Sequence, residues 1–261
     1  MPIDPGAWTD AHCHLQDEAF ASDTDQILER ADVFGIRNLL VNGTGPDDWP
    51  RVAELATSRP GVLPQFGLHP WRAGKPSSDW ENRLKTLLFR FPHAGVGEIG
   101  LDAKLTDTPM EAQRHAFRIQ WDLARHLNRP CTVHLLGAWA ELHEELKREP
   151  PPRFLLHAFN GSPEQVASLA KYPAWFSFGG AAMRQTNSTK LRDAIRAVPD
   201  DRLLLETDAP FQHPDGKDHR QEPAGLLKIA ETVATVRGIP VDALRRLTAE
   251  NFARYLEKGS R

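Results

Sequence analysis

From Ala7 to Pro210 the chain alternates short apolar runs with longer segments whose apolar residues recur every three to four positions. The short runs are AWTDAH (7–12), IRNLLVNG (36–43), GVLPQFGLH (61–69), HAGVGEIG (93–100), RPCTVHLL (129–136), RFLLHAF (153–159), AWFSFGG (174–180) and RLLLETDAP (202–210). Such runs, bounded by turn residues, read as strands. The segments between them read as helices. One spans 24–35 and ends at Gly35, a residue suited to a left-handed helix stop. Another spans 109–128, with Pro109 in its first turn and Asn128-Arg129-Pro130 as its end. A third spans 162–172, with Ser162 as N-cap and Pro163 at the first helical position. Strands alternating with helices at this spacing predict parallel βαβ units in an α/β protein. Eight of them predict a closed (β/α)8 TIM-type barrel, with a doubly wound open sheet as the alternative. Two more helical patterns, 223–238 and 241–259, remain to cover the outside as extra C-terminal helices. The tract EPPPR (149–153) precedes a strand directly and reads as a helix-stopping loop, so one domain over 1–261 is expected.

Composition narrows this picture a little. Of the 261 residues, 40% are hydrophobic and 26% charged, and the net charge is −3. No basic excess exists to bind duplex nucleic acid non-specifically, so any polyanion must be met locally, in a cleft. Cys13 and Cys131 form no C-x-x-C pair, which fits a reduced, cytoplasmic protein. The opening MPIDPGAWTD has no apolar core, and no run approaches 18 apolar residues. Neither a signal peptide nor a membrane span is expected, nor an obligatory protein partner.

The chemistry lies at the ends of the apolar runs. The first strand delivers His12 and His14, which alternate onto one face with Asp10 while Cys13 turns away. Further along come His69, Glu98, His134, His157 and Asp208, each at the C-terminal end of a different run. In a barrel all these ends open on one face, where active sites sit. Histidines with carboxylates and no thiolate suit zinc, manganese, iron or nickel, and magnesium less well. His69 apart, four histidines and two carboxylates are six donors, which exceed the needs of one four-coordinate ion. Two ions sharing a carboxylate is the economical arrangement, and Glu98, central in strand order, is the natural bridge.

These blocks, in order, resemble a known family. DAHCHL, GLHP, GEIGLD, LHAFNGS and LLLETDAPF, with the helix MEAQRHAFRIQWDLARHLNRP before the fifth strand, are similar to the signature blocks of the TatD metal-dependent hydrolases, within the amidohydrolase-like barrels. The resemblance covers roughly residues 8–225. It implies one or two divalent ions held by His12, His14, Glu98, His134, His157 and Asp208, and hydrolysis of phosphodiester bonds, usually in DNA. Glu98 stands where many relatives of the wider barrel group carry a carbamylated lysine. Asp208 and Glu98 are the expected catalytic residues, Asp208 accepting the proton of the attacking water and passing it to the leaving group.

Other positions keep two readings. His69 either contacts the phosphate or leaving group or packs on Pro70. Asp10 and Glu206 either orient ligand imidazoles or form barrel-layer ion pairs, and Asp102 serves either way. Trp71, Trp139, Phe159 and Phe211 either stack on unpaired bases or simply dry the site, with Phe159 the expected substrate contact. The loop FQHPDGKDHRQEP (211–223) offers Lys217, His219 and Arg220 to phosphates, Arg220 foremost, or is merely solvated. Against the family pattern, Leu136 replaces the arginine of H-x-R, Arg220-Gln221-Glu222-Pro223 replaces R-N-x-P, and Ala103 replaces an aromatic. The functional expectation is therefore a deoxyribonuclease acting on single strands or 3′ ends. The alternative is a metal-dependent hydrolase of a small ester, amide or lactone.

Overall fold

The computed structural model describes residues 3–184, 188–216 and 219–257. Its eight strands are β1 (Trp8–Cys13), β2 (Ile36–Asn42), β3 (Val62–Phe66), β4 (Gly95–Asp102), β5 (Cys131–Leu136), β6 (Phe154–Leu156), β7 (Ala174–Phe178) and β8 (Leu203–Leu205). They lie in one sheet in sequence order, every hydrogen-bonded neighbour parallel. The β1–β8 seam is closed by the chain just beyond the strands, where Asp208 N–H donates to His12 O (2.9 Å) and His14 N–H to Ala209 O (2.7 Å). The barrel thus replaces the open-sheet alternative.

The helices are α1 (Thr24–Val33), α2 (Trp49–Ser58), α3 (Trp80–Arg90), α4 (Met110–Leu127), α5 (Trp139–Arg148), α6 (Pro163–Leu169), α7 (Ser188–Ala197), α8 (Leu226–Arg237) and α9 (Val241–Leu256). Their ends follow local chemistry. Ser162 and Gln165 make a reciprocal capping box on α6, with Pro163 in the first turn. Asn128 ends α4 in the left-handed conformation, φ 51°. Pro109 stands one residue outside α4, as its N-cap.

Two apolar layers result. One lies between strands and helices and takes the outward side of each strand, including Cys13, whose thiol is 3.7 Å from Leu40 O. The other fills the lower barrel interior, where Leu40, Leu63, Leu155, Trp175 and Leu204 meet Phe252 and Tyr255 of α9. The last helix is therefore a plug for the bottom of the barrel. Among the described residues no helix is long and apolar enough to cross a membrane.

Candidate metal centre

Above that plug the barrel turns polar. Glu98 sits inside β4, whereas His14, His157 and Asp208 stand just past the ends of β1, β6 and β8. Asp208 has a left-handed backbone, φ 56°, so strand alternation does not aim its side chain. The backbone bonds to β1 do this instead.

The donors fall into two sets, one on each oxygen of Glu98. Around Oε2 stand His12 Nε2 (3.4 Å) and His14 Nε2 (3.3 Å), which are 3.0 Å apart. Asp208 Oδ1 completes that set, 3.3 and 3.4 Å from the same two nitrogens. Donors about 2.0–2.2 Å from a tetrahedral ion lie roughly 3.3–3.5 Å from one another, so the spacing fits a first-row divalent cation. Around Oε1 stand His157 Nε2 (2.8 Å), His134 Nδ1 (3.2 Å) and His69 Nε2 (3.3 Å).

Outer hydrogen bonds decide which of these nitrogens has a lone pair to give. His14 donates through Nδ1 to Asn42 O (2.8 Å), so in the neutral ring the lone pair of Nε2 faces the centre. His134 points Nε2 at Asp102 Oδ2 (3.3 Å) and Nδ1 inward. His157 turns Nδ1 toward Glu206 Oε1 at 3.6 Å. His69 differs. Its Nδ1 accepts from Trp71 N–H (3.1 Å), so the proton of the neutral ring is on Nε2, and that nitrogen faces Glu98 as a donor rather than a ligand. Proximity alone groups His69 with Glu98 and His134 as possible metal donors, but the tautomer argues against it.

The charges agree. Burial opposes ionisation of Glu98, yet the surrounding imidazoles, His157 first, hold its pKa well below the usual range. Asp208 is likewise buried and likewise held ionised, by His12 and His14. Burial works against protonation of His14 too, but Asp208 and Glu98 raise its pKa to about 10. Those of His134 and His157 also rise, against burial, by their carboxylate neighbours. Only His69 goes the other way, lowered by burial to about 4. Two permanent carboxylates thus draw positive charge into a dry site, a demand that protons or divalent ions compete to meet.

Comparison with known proteins is consistent with this geometry. The TatD related DNase family matches residues 9–257. The chain belongs to the TatD family of metal-dependent hydrolases. It is 32% identical over 245 residues to a protein of Erwinia billingiae named 3′-5′ ssDNA/RNA exonuclease TatD, covering 91% of this chain and 94% of that one. It is also 32% identical over 253 residues to the Escherichia coli metal-dependent hydrolase YcfH, covering 94% of each. The crystal structure of YjjV, a TatD homologue from Escherichia coli, superposes with a TM-score of 0.88 at 29% identity, over 95% of this chain and 96% of that one. Within the family frame, His12, His14, Glu98, His134, His157 and Asp208 converge here as one cluster, buried but for half-buried His134.

Other expected contacts are placed differently. Phe159 is buried, its ring 5.0 Å from Phe176 and 5.8 Å from Trp139, so it faces the strand–helix layer and not the bowl. Arg220 stacks over Phe20 and spends its guanidinium on Asp23, Glu222 and Ala19 O, bracing the loop against the start of α1. Lys217 lies outside the described residues, and His219 sits beside His213. Asp10 accepts from His12 N–H (3.2 Å) and Thr207 N–H (2.9 Å) and so ties β1 to β8 through the backbone, touching no ligand ring. Burial raises its pKa to about 7. Glu206, by contrast, does face His157, and is itself fixed by Ala158 N–H (2.7 Å) and the Ser177 hydroxyl.

Three supporting residues escaped the sequence reading. Gln120 of α4 pairs with both backbone groups of Leu68, beside His69, and Gln113 does the same for Asp102. Seven positions apart, they lie on the buried stripe of α4 with Ala116, Phe117 and Ala124. Polar residues in an apolar stripe were the available signal. Gln212 donates to Asp208 Oδ2 (2.7 Å), and nothing in the local pattern announces it.

Proposed function

We propose that this protein is a divalent-metal-dependent phosphodiesterase that shortens single-stranded DNA or frayed 3′ ends. The carrying observation is the place of Glu98 between two donor sets, one on each of its carboxylate oxygens. When bound, cations at these donors supply Lewis-acid neutralisation of phosphoryl charge and activate water near neutral pH. Four imidazoles among the six donors favour zinc, manganese, iron or nickel over magnesium, which prefers oxygen ligands. His12, His14 and Asp208 would hold one ion and His134 and His157 a second, with Glu98 available to both. Asp208 remains ionised among imidazoles and takes the proton of the attacking water, with Gln212 holding its second oxygen. His69, neutral and protonated on Nε2, is a donor for a phosphoryl oxygen or the leaving group. The near-neutral chain charge, −3, fits a substrate recognised at a cleft rather than along a duplex. The name of the Erwinia relative supports the same substrate class.

The competing reading is hydrolysis of a small ester, amide or lactone, favoured by Leu136, half-buried at the end of β5 where an arginine is expected. Short single-stranded DNA incubated with metal-stripped protein, with magnesium, manganese or zinc restored separately, decides between them. Ion-dependent stepwise shortening, abolished in a folded Asp208→Asn variant, is the expected result. No cleavage by protein that carries metal on elemental analysis transfers the proposal to the small-molecule reading.

A further inference from the structure

Four aromatic residues follow the predicted ligands in sequence, and the fold divides them. Phe159 and Trp139 join the strand–helix layer. Trp71 and Phe211 do not: they remain 51% and 39% exposed, although each follows a site residue within three positions. Their rings meet edge to face, with centroids 6.3 Å apart. Trp71 also lies against the ring of His69 (4.2 Å), and Phe211 against that of His14 (5.6 Å). The backbones are tied as closely. Trp71 N–H donates to His69 Nδ1 (3.1 Å), and Phe211 N–H to Asp208 O (2.7 Å). A flat group resting on this pair is therefore held at a fixed offset from Glu98 and Asp208.

Large apolar side chains left half-open at the rim of a charged bowl gain nothing for the core. Their use is to bury a ligand's face. We infer that Trp71 and Phe211 form a nucleobase-stacking subsite that sets the terminal unpaired nucleotide over the metal centre. The inference rests on the phosphodiesterase reading and specifies its substrate: a strand end whose base is free to stack. Edge-to-face contact leaves no slot between the rings, so the base lies on the open face of Trp71 with Phe211 flanking it. Stacking reads no base edge, so the subsite tolerates any sequence but excludes a paired base. It also supplies binding on a surface where Leu136 provides no cation.

The test compares wild type with Trp71→Ala, Trp71→Phe and Phe211→Ala on a short single strand. Each of its two 3′-terminal nucleosides is replaced in turn by an abasic analogue. Trp71→Ala is expected to raise KM by about 5- to 150-fold, the range for loss of one base–aromatic stack, with little change in kcat. Trp71→Phe should recover most of that loss. With one of the two abasic strands, wild type should already show the deficit, and Trp71→Ala should add nothing to it. A second readout needs no turnover: deoxyadenosine 5′-monophosphate should quench tryptophan emission in wild type and much less in Trp71→Phe. An unchanged KM in Trp71→Ala, or an equal loss on base-bearing and abasic strands, overturns the subsite while leaving the phosphodiesterase reading intact. No cleavage with any ion overturns that reading instead. Quenching that depends on Trp71 then still upholds the subsite, and its absence overturns it.

Discussion

The two ends of the barrel interior are built from opposite materials. At the N-terminal ends of the strands, Leu40, Leu63, Leu155 and Trp175 close on Phe252 and Tyr255, and few polar groups intrude: Gln65 donates to the Tyr255 hydroxyl at 3.2 Å, while Gln65 Oε1 and the Trp175 indole nitrogen stay without a hydrogen-bond partner. At the other end, imidazoles and carboxylates crowd within 2.8–3.4 Å of one another and depend on counter-charge. The bottom stabilises the fold by burial. The top contributes no apolar core and has meaning only as a site. In a closed barrel this division follows from geometry, because the strands are continuous and only their C-terminal ends open onto adaptable loops.

The comparison can be broken from either side. The largest expected effect is at the top: Glu98→Gln removes a donor from both sets, so turnover should fall by about 10³-fold or more as several kcal/mol of Lewis-acid stabilisation is lost. Elemental analysis should find metal depleted, while circular dichroism stays unchanged. At the bottom, Phe252→Ala should destabilise by about 3–5 kcal/mol, read by urea titration, with kcat/KM per folded molecule unaltered. A catalytic defect there would mean that the two ends are coupled. A subtler change at the top is Glu206→Gln. It weakens the carboxylate that faces His157 Nδ1 and should reduce metal affinity roughly 10- to 100-fold in a competition titration.

The smallest effect separates the ends by pH. In metal-stripped protein His14 has its pKa raised to about 10 from an ordinary 6.5, so its protonated form stabilises the fold fully below pH 6.5. That contribution is lost as pH climbs toward 10, and His134 and His157 act in the same direction. The unfolding temperature of stripped protein should therefore fall across that window, and saturating divalent cation should flatten the fall. Equal slopes with and without cation would remove the imidazoles from this account.

Much of this was legible beforehand. The eight apolar runs coincide with the eight strands because a barrel strand has a buried outer face and a filled interior, which leaves a hydrophobic signature at fixed spacing. The candidate donors were legible because each stands at or near the end of such a run. Other features were hidden for physical reasons. Phe159 and Phe211 look alike in sequence, each coming just after a candidate donor, but one turns into the strand–helix layer and the other stays at the rim. Arg220 reads as a free cation until Asp23 and Glu222 are brought to it by the fold. Asp10 lies on the face of His12 as expected, yet its partner is Thr207, almost two hundred positions away.

The sequence by itself determined the strand and helix periodicity, the candidate metal donors and the family, because periodicity and donor type are local properties. Only the tertiary structure decided which oxygen of Glu98 serves which donors, which histidine nitrogen carries the proton, and which aromatics remain open to a ligand. Those depend on hydrogen bonds and contacts between strands far apart in the chain, and a pattern read along one dimension does not contain them.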